Sequence, residues 1–117
     1  MAKRPSDFVK AAIKAKITFT YSDGSPPDQY DVLDCLTGSE RLAVVFMYDG
    51  TRYEAFIPTT PNPLTPFQGT FTKDGKSNPR DGINNIVFDE NDNEAVITGD
   101  WTEDGWDQKM KIVFPKK

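Results

Sequence analysis

The sequence predicts a mainly β protein: about eight antiparallel strands in a small up-and-down barrel, with a two-sheet sandwich as the alternative, preceded by one short N-terminal α-helix. Three observations carry this. Apolar and polar residues alternate with period two over most of the 117 residues, as half-buried strands require. Turn signals recur every roughly 8–12 residues. Only one connection, rich in proline, is long enough to cross between distant strands, so consecutive strands should pair with their neighbours.

Residues 1–15 read as the helix. Pro5, Ser6 and Asp7 form a start signal, and Phe8, Val9, Ala12, Ile13 and Ala15 then fall on one side at helical spacing. Alone in water so short a helix is marginal, so its apolar stripe must pack on the sheet or a barrel end. From Lys16 the period changes to two, with Ile17, Phe19 and Tyr21 alternating with Thr18 and Thr20. The run Asp23-Gly24-Ser25-Pro26-Pro27-Asp28 is a loop. Residues 30–36 form a weaker strand because Tyr30, Val32 and Leu36 share a face with Asp34.

Residues 41–48 and 51–57 flank Asp49-Gly50 and read as a hairpin with a two-residue type I′ turn, whose central positions both need positive φ. On 41–48, Leu42, Val44, Phe46 and Tyr48 form one apolar face, and Ala43, Val45 and Met47 make the other apolar too. Such a strand needs a second cover, supplied by the N-terminal helix, a partner protein or a second copy in a homodimer through 41–48. Pro58, Pro61, Pro63 and Pro66 make 58–66 a polyproline-like crossing over a barrel end or between sheets. A meander over 67–115 completes a single domain spanning 1–117. Phe67, Gly69 and Phe71 share one face. Ile86 and Phe88, then Ala95, Ile97, Gly99 and Trp101, then Trp106, Met110, Ile112 and Phe114 are the inward positions of the last three strands.

Composition excludes much chemistry. With no histidine, the commonest base at neutral pH is missing, along with Ser–His–Asp and Cys–His nucleophile systems and His-ligated metals. Cys35 stands alone, so no intramolecular disulfide or thiolate cluster forms, and Asp31 and Asp34 beside it oppose a reactive thiolate. The carboxylates around residues 89–94 and 100–107 read as solvated turn residues, not as a glycosidase pair. Asp89-Glu90-Asn91-Asp92-Asn93-Glu94 alternates oxygen ligands as a calcium loop does. Glu94, however, stands where that loop needs glycine, and Asp100 stands where it needs a bidentate Glu. No catalytic residue, metal or cofactor is expected.

The net charge of −4 argues against nucleic acid as partner. Residues 1–16 carry a net +4, leaving −8 on the remainder. The N-terminal cations read as the solvated face of the helix. The first sixteen residues hold no apolar run suited to a signal peptide, and no segment approaches the ~18 apolar residues of a membrane span. The expected setting is intracellular, in the cytoplasm.

Gly99-Asp100-Trp101 resembles the G-x-W motif of lipocalin- and avidin-like barrels. The resemblance implies a small barrel with an inward-facing Trp, and no ligand residue is carried over from it.

Two binding functions remain. The first is a non-catalytic acidic module recognising a protein with a basic surface, in an inhibitor, immunity-type or mimic role. Asp100, Glu103, Asp104 and Asp107 would steer that partner and Trp106 would anchor it. The alternative is a calycin-like barrel holding a small apolar or aromatic ligand in its interior or mouth, against Tyr21, Tyr48, Tyr53 and Trp101.

Overall fold

The computed structural model describes residues 15–37, 41–58 and 68–115. These form nine antiparallel strands: β1 (Lys16–Thr20), β2 (Asp28–Asp31), β3 (Asp34–Thr37), β4 (Arg41–Tyr48), β5 (Thr51–Pro58), β6 (Thr70–Lys73), β7 (Gly82–Glu90), β8 (Glu94–Glu103) and β9 (Trp106–Pro115). The predicted helix over 1–15, all but its last residue, and the Pro-rich crossing beyond Pro58 lie outside the described residues. Among the described residues there is no helix, and so none long and apolar enough to cross a membrane.

The strands make two sheets, β2-β1-β9-β8-β7 and β3-β4-β5-β6, packed as a sandwich. Among the described residues the expected closed barrel is not formed. The single strand expected over 30–36 is instead two short ones, parted at Val32 and Leu33, where the chain passes from one sheet to the other. There the Val32 amide donates to the Ala15 carbonyl at 3.0 Å and the Leu33 amide to the Val45 carbonyl at 2.8 Å. At the opposite seam, Gly69 and Ile83 exchange one pair of amide–carbonyl bonds, at 2.7 and 2.9 Å. A barrel needs a continuous ladder around its circumference. These seams supply single contacts, so each sheet keeps two edges. Gly69 has no substitute at its seam: a Cβ there would lie 2.5 Å from the Phe56 carbonyl oxygen.

Alternation places the core as the pattern requires. Buried Ile17, Leu42, Val44, Phe46, Ala55, Ile57, Phe71, Ile83, Ile97, Trp101, Met110, Ile112 and Phe114 fill the space between the sheets. Trp101 lies flat against Phe71, with ring centroids 3.9 Å apart at 15°. The edge of Trp101 meets Phe19 at 5.0 Å and 73°. On the other face of β4, Ala43 and Val45 are buried as well, while Met47 is exposed.

Asp49-Gly50 turns β4 into β5 with φ of 49° and 79°, as a type I′ turn demands. Asp104-Gly105 does the same between β8 and β9, with φ of 51° and 84°. One inward assignment fails at that second hairpin. Trp106 shares its face with Met110 yet is 79% exposed, because it pairs with Glu103 at the hairpin tip, past the cover of the smaller sheet. Asn85, at φ 54°, sits where the β7–β8 register shifts between Asn84 and Val87, a bulge that bends β7.

Candidate binding cleft at the mouth of the sandwich

At the end of the sandwich where β1, β4 and β8 finish, the sheets splay and leave an open cleft of about 330 Å³. Parity decides which residues reach it. Phe46 and Tyr48 extend the inner face of β4, Tyr53 lies opposite Phe46 on β5, Tyr30 comes from β2, and Trp101 and Glu103 come from β8. Tyr21, Asp104, Trp106 and Gln108 form the rim. The floor is dry, since Trp101 and Phe46 are buried, while Tyr48 is 47% exposed.

The polar groups here are tied together. The Tyr53 hydroxyl donates to Glu103 Oε2 at 2.8 Å, and Trp101 Nε1–H donates to Glu103 Oε1 at 3.1 Å, so both oxygens of that carboxylate are occupied. The Tyr21 hydroxyl donates to Asp28 Oδ2 at 2.5 Å. Behind Glu103, Lys73 Nζ lies 3.5 Å from Glu103, 3.5 Å from Asp104 and 3.7 Å from Asp81. Asn78 Nδ2 donates to Asp104 Oδ1, and the Asp104 amide donates to Asp81 Oδ1. Lys73 does not line the cleft.

Titration behaviour follows from these contacts. Burial first, then the bond to Glu103, holds the Tyr53 hydroxyl protonated well above the ordinary tyrosine range, and burial with Asp28 does the same for Tyr21. Burial, with Asp34 adding to it, pushes the Cys35 thiol from 9.0 up to about 12. Such a thiol is not a nucleophile at neutral pH. For Lys73, burial pulls downward, but Glu103, Asp81 and Asp104 together raise it.

All four groups are held protonated by the fold, so the unfolded chain gives up their protons first and stability must fall as pH rises. Unfolding free energy should be level between pH 7 and about 8 and then decline, first as the unfolded thiol of Cys35 ionises. Each group contributes at most about 1.4 kcal/mol per pH unit, and the partly exposed Tyr21 and Lys73 less. Urea titrations at pH 7, 9 and 10.5 check this, and Cys35→Ala should make the decline shallower. A flat profile would contradict it.

The sequence-derived residues divide by the face of β8 and β9 on which they lie. Tyr21, Tyr48, Tyr53 and Trp101 come together in the cleft, and Glu103, Asp104 and Trp106 join them there. Asp100 and Asp107 do not. They border a separate polar groove of about 490 Å³ with Asn84, Asn85, Lys109 and the edge of Tyr21. In that groove Asp100 is held by Asn85 Nδ2 at 2.7 Å and Lys109 Nζ at 2.5 Å, and these bonds lower its pKa. Asp107 accepts from the Thr102 hydroxyl at 2.6 Å.

Sequence reasoning missed Tyr30 as a cleft residue, although the sequence pattern makes it an aromatic on the same face as Val32 and Leu36. It also missed Lys73 and Asp81, which reach Glu103 and Asp104 across about thirty and twenty residues of chain, with no local pattern to mark them. Among the described residues no group of three or more His, Cys, Asp or Glu side chains is arranged to hold a metal ion.

No protein-family model, curated protein or solved structure matches this chain.

Proposed function

We propose that the protein is a non-catalytic binding module that meets a partner with a basic surface at the aromatic, acid-rimmed mouth of the sandwich. The observation that carries this reading is Trp106, 79% exposed on the β8–β9 hairpin and set beside Asp104 at the rim of an open aromatic cleft. A large apolar ring held out on a tight hairpin adds little to the core formed by the described residues. Trp with neighbouring charge is the composition of an interface anchor. The acids of the mouth and the −8 carried by residues 17–117 would steer a cationic surface toward it.

The test is capture from native lysate at low and high salt, with wild type compared against Trp106→Ala and Asp104→Lys. Trp106→Ala should weaken retention of a salt-sensitive partner by about thirtyfold, the scale of a 2 kcal/mol anchor. Asp104→Lys should slow association. Asp107→Lys, placed on the other groove, should have the smaller effect. Retention identical in wild type and the two mouth variants would remove the reading.

A second reading is favoured by the meeting of Tyr21, Tyr48, Tyr53 and Trp101 around one cleft of about 330 Å³, a size suited to a small apolar or aromatic ligand. Saturable binding of a neutral aromatic compound, lost in Tyr48→Leu, would support it in place of the first.

A further inference from the structure

One compact cation already sits behind the mouth, and it decides which further cation the cleft suits. We infer that the cleft receives an arginine side chain carried by the basic partner, an inference that rests on the mouth being the binding face.

Charge is the first reason. Glu103, Asp104 and Asp81 are met by Lys73, and the Arg80 guanidinium donates to the Asp104 carbonyl at 3.3 Å. Three carboxylates against two cations leave one negative charge uncompensated among the described residues. Asp28, which holds the Tyr21 hydroxyl at its side of the rim, adds a second. Neither Lys73 nor Arg80 lines the cleft, so Glu103 and Asp104 are the charges an entering group meets there. Within the roughly 8 Å over which physiological salt leaves charges unscreened, they favour a cation.

Open ring surface is the second reason. Tyr53 is 6% exposed, and Phe46 and Trp101 are buried, so these rings make the floor. Tyr48, 47% exposed, and Trp106, 79% exposed, keep open ring surface at the entrance. A guanidinium is planar, stacks on aromatic faces and is more weakly hydrated than an ammonium. The apolar stem of arginine has the dry floor to lie on.

The placing of free acceptors is the third reason, and it chooses between arginine and lysine. Each oxygen of Glu103 takes one hydrogen bond, from Tyr53 or Trp101, and keeps a further lone pair. Asp104 Oδ2, Gln108 and the Tyr48 hydroxyl can accept as well. These groups come from β4, β8, the β8–β9 turn and β9, so they are spread along the wall. The point at which carboxylates gather is held by Lys73, whose Nζ is 3.5 Å from Glu103, 3.5 Å from Asp104 and 3.7 Å from Asp81. A second lysine would find that seat taken, and its three donors share one nitrogen. The five donors of a guanidinium, set in a planar fork, reach acceptors that stand apart.

The experiment titrates the full chain, by amide NMR shifts and Trp fluorescence, with three short Gly/Ser peptides. They differ only at the centre, which carries arginine, lysine or citrulline, the neutral isostere of arginine. The arginine peptide should bind about tenfold more tightly than the citrulline peptide and about threefold or more tightly than the lysine peptide. Trp106→Ala and Asp104→Asn should each weaken the arginine peptide by about fivefold, while Trp106→Phe, which keeps a ring, should stay within about twofold of wild type. The Trp106 and Asp104 side chains are 79% and 56% exposed, and asparagine tolerates the φ of 51° at Asp104, so all three variants should fold.

Lysine binding as tightly as arginine would overturn the guanidinium assignment, and citrulline binding as tightly would overturn the role of charge. Binding of none of the peptides would overturn the inference as a whole. In each of these cases a lysate capture that still depends on Trp106 leaves the mouth as a binding face. A capture indifferent to the mouth variants removes the binding face itself.

Discussion

Trp101→Ala should be the most damaging single substitution in the core, lowering the unfolding free energy by about 3–5 kcal/mol. Trp101 has no exposed surface and sits where the two sheets face each other, against Phe71 at 3.9 Å, Phe19 at 5.0 Å, Phe46 at 6.0 Å and Tyr53 at 6.4 Å. Those four rings come from four different strands, so the indole is common to the packing of both sheets. Its removal opens a cavity that backbone ladders on either side cannot collapse to fill. It also withdraws the N–H that Glu103 Oε1 accepts, leaving a carboxylate beside Tyr53 with one partner fewer.

Against a typical domain stability of roughly 5–15 kcal/mol, such a loss takes a large share. Equilibrium urea unfolding followed by far-UV circular dichroism reads it directly. Trp101→Phe separates the two effects, since a phenyl ring restores much of the volume but not the donor. A loss under about 1 kcal/mol in Trp101→Ala would show that the aromatic cluster is not the centre of the fold.

The antiparallel strands were legible wherever alternation was strict, although the sequence reading preferred a closed barrel to the sandwich they form. The Asp49-Gly50 hairpin, the inward faces of β8 and β9, and the apolar core of β4 all follow from period two and turn chemistry. Two features were not legible, each for a physical reason. The parting of residues 30–36 at Val32 and Leu33 depends on which sheet each half joins, a tertiary choice that local pattern does not encode. The exposure of Trp106 depends on how far the facing sheet extends beyond the hairpin, although its parity with Met110 read correctly.

The division of the acids was available in principle. Asp100 and Thr102 alternate with Trp101 and Glu103, so parity alone separates Asp100 from Glu103. Grouping all the carboxylates near the hairpin by sequence proximity overrode that parity. The cleft is the opposite case. Its aromatic residues were recognisable by type, but their mutual angles, and the occupation of every Glu103 oxygen, arise only when β2, β4, β5 and β8 meet.

Lys73→Met should cost about 3 kcal/mol of stability, although lysine on an edge strand is ordinarily replaceable. The reason is Asp81. Its side chain is 1% exposed, Oδ1 accepts from the Asp104 amide, and Oδ2 has no hydrogen bond among the described residues. Lys73 Nζ, 3.7 Å away, is the compensating charge for that oxygen among the described residues, and it also serves Glu103 and Asp104. Methionine keeps the apolar stem of Lys73 and removes only the charge, so a buried carboxylate is left alone.

Asp81→Asn should be milder, because the amide can still accept from Asp104 and carries no charge to compensate. In the double variant Lys73→Met/Asp81→Asn, the loss should be smaller than the sum of the two single losses by about 1–3 kcal/mol, the range for residues sharing one buried network. Strict additivity in that cycle would mean that solvent, not Lys73, compensates Asp81. Exposed pairs elsewhere supply the control. Lys109 with Asp100, whose ammonium is 74% exposed, should show coupling below about 1 kcal/mol by the same measurement. The contrast matters for the cleft, because Lys73 also fixes Glu103, which in turn anchors the hydroxyl of Tyr53. If that chain of contacts holds the mouth in shape, Lys73→Met should weaken binding there as well, without replacing any residue that lines it.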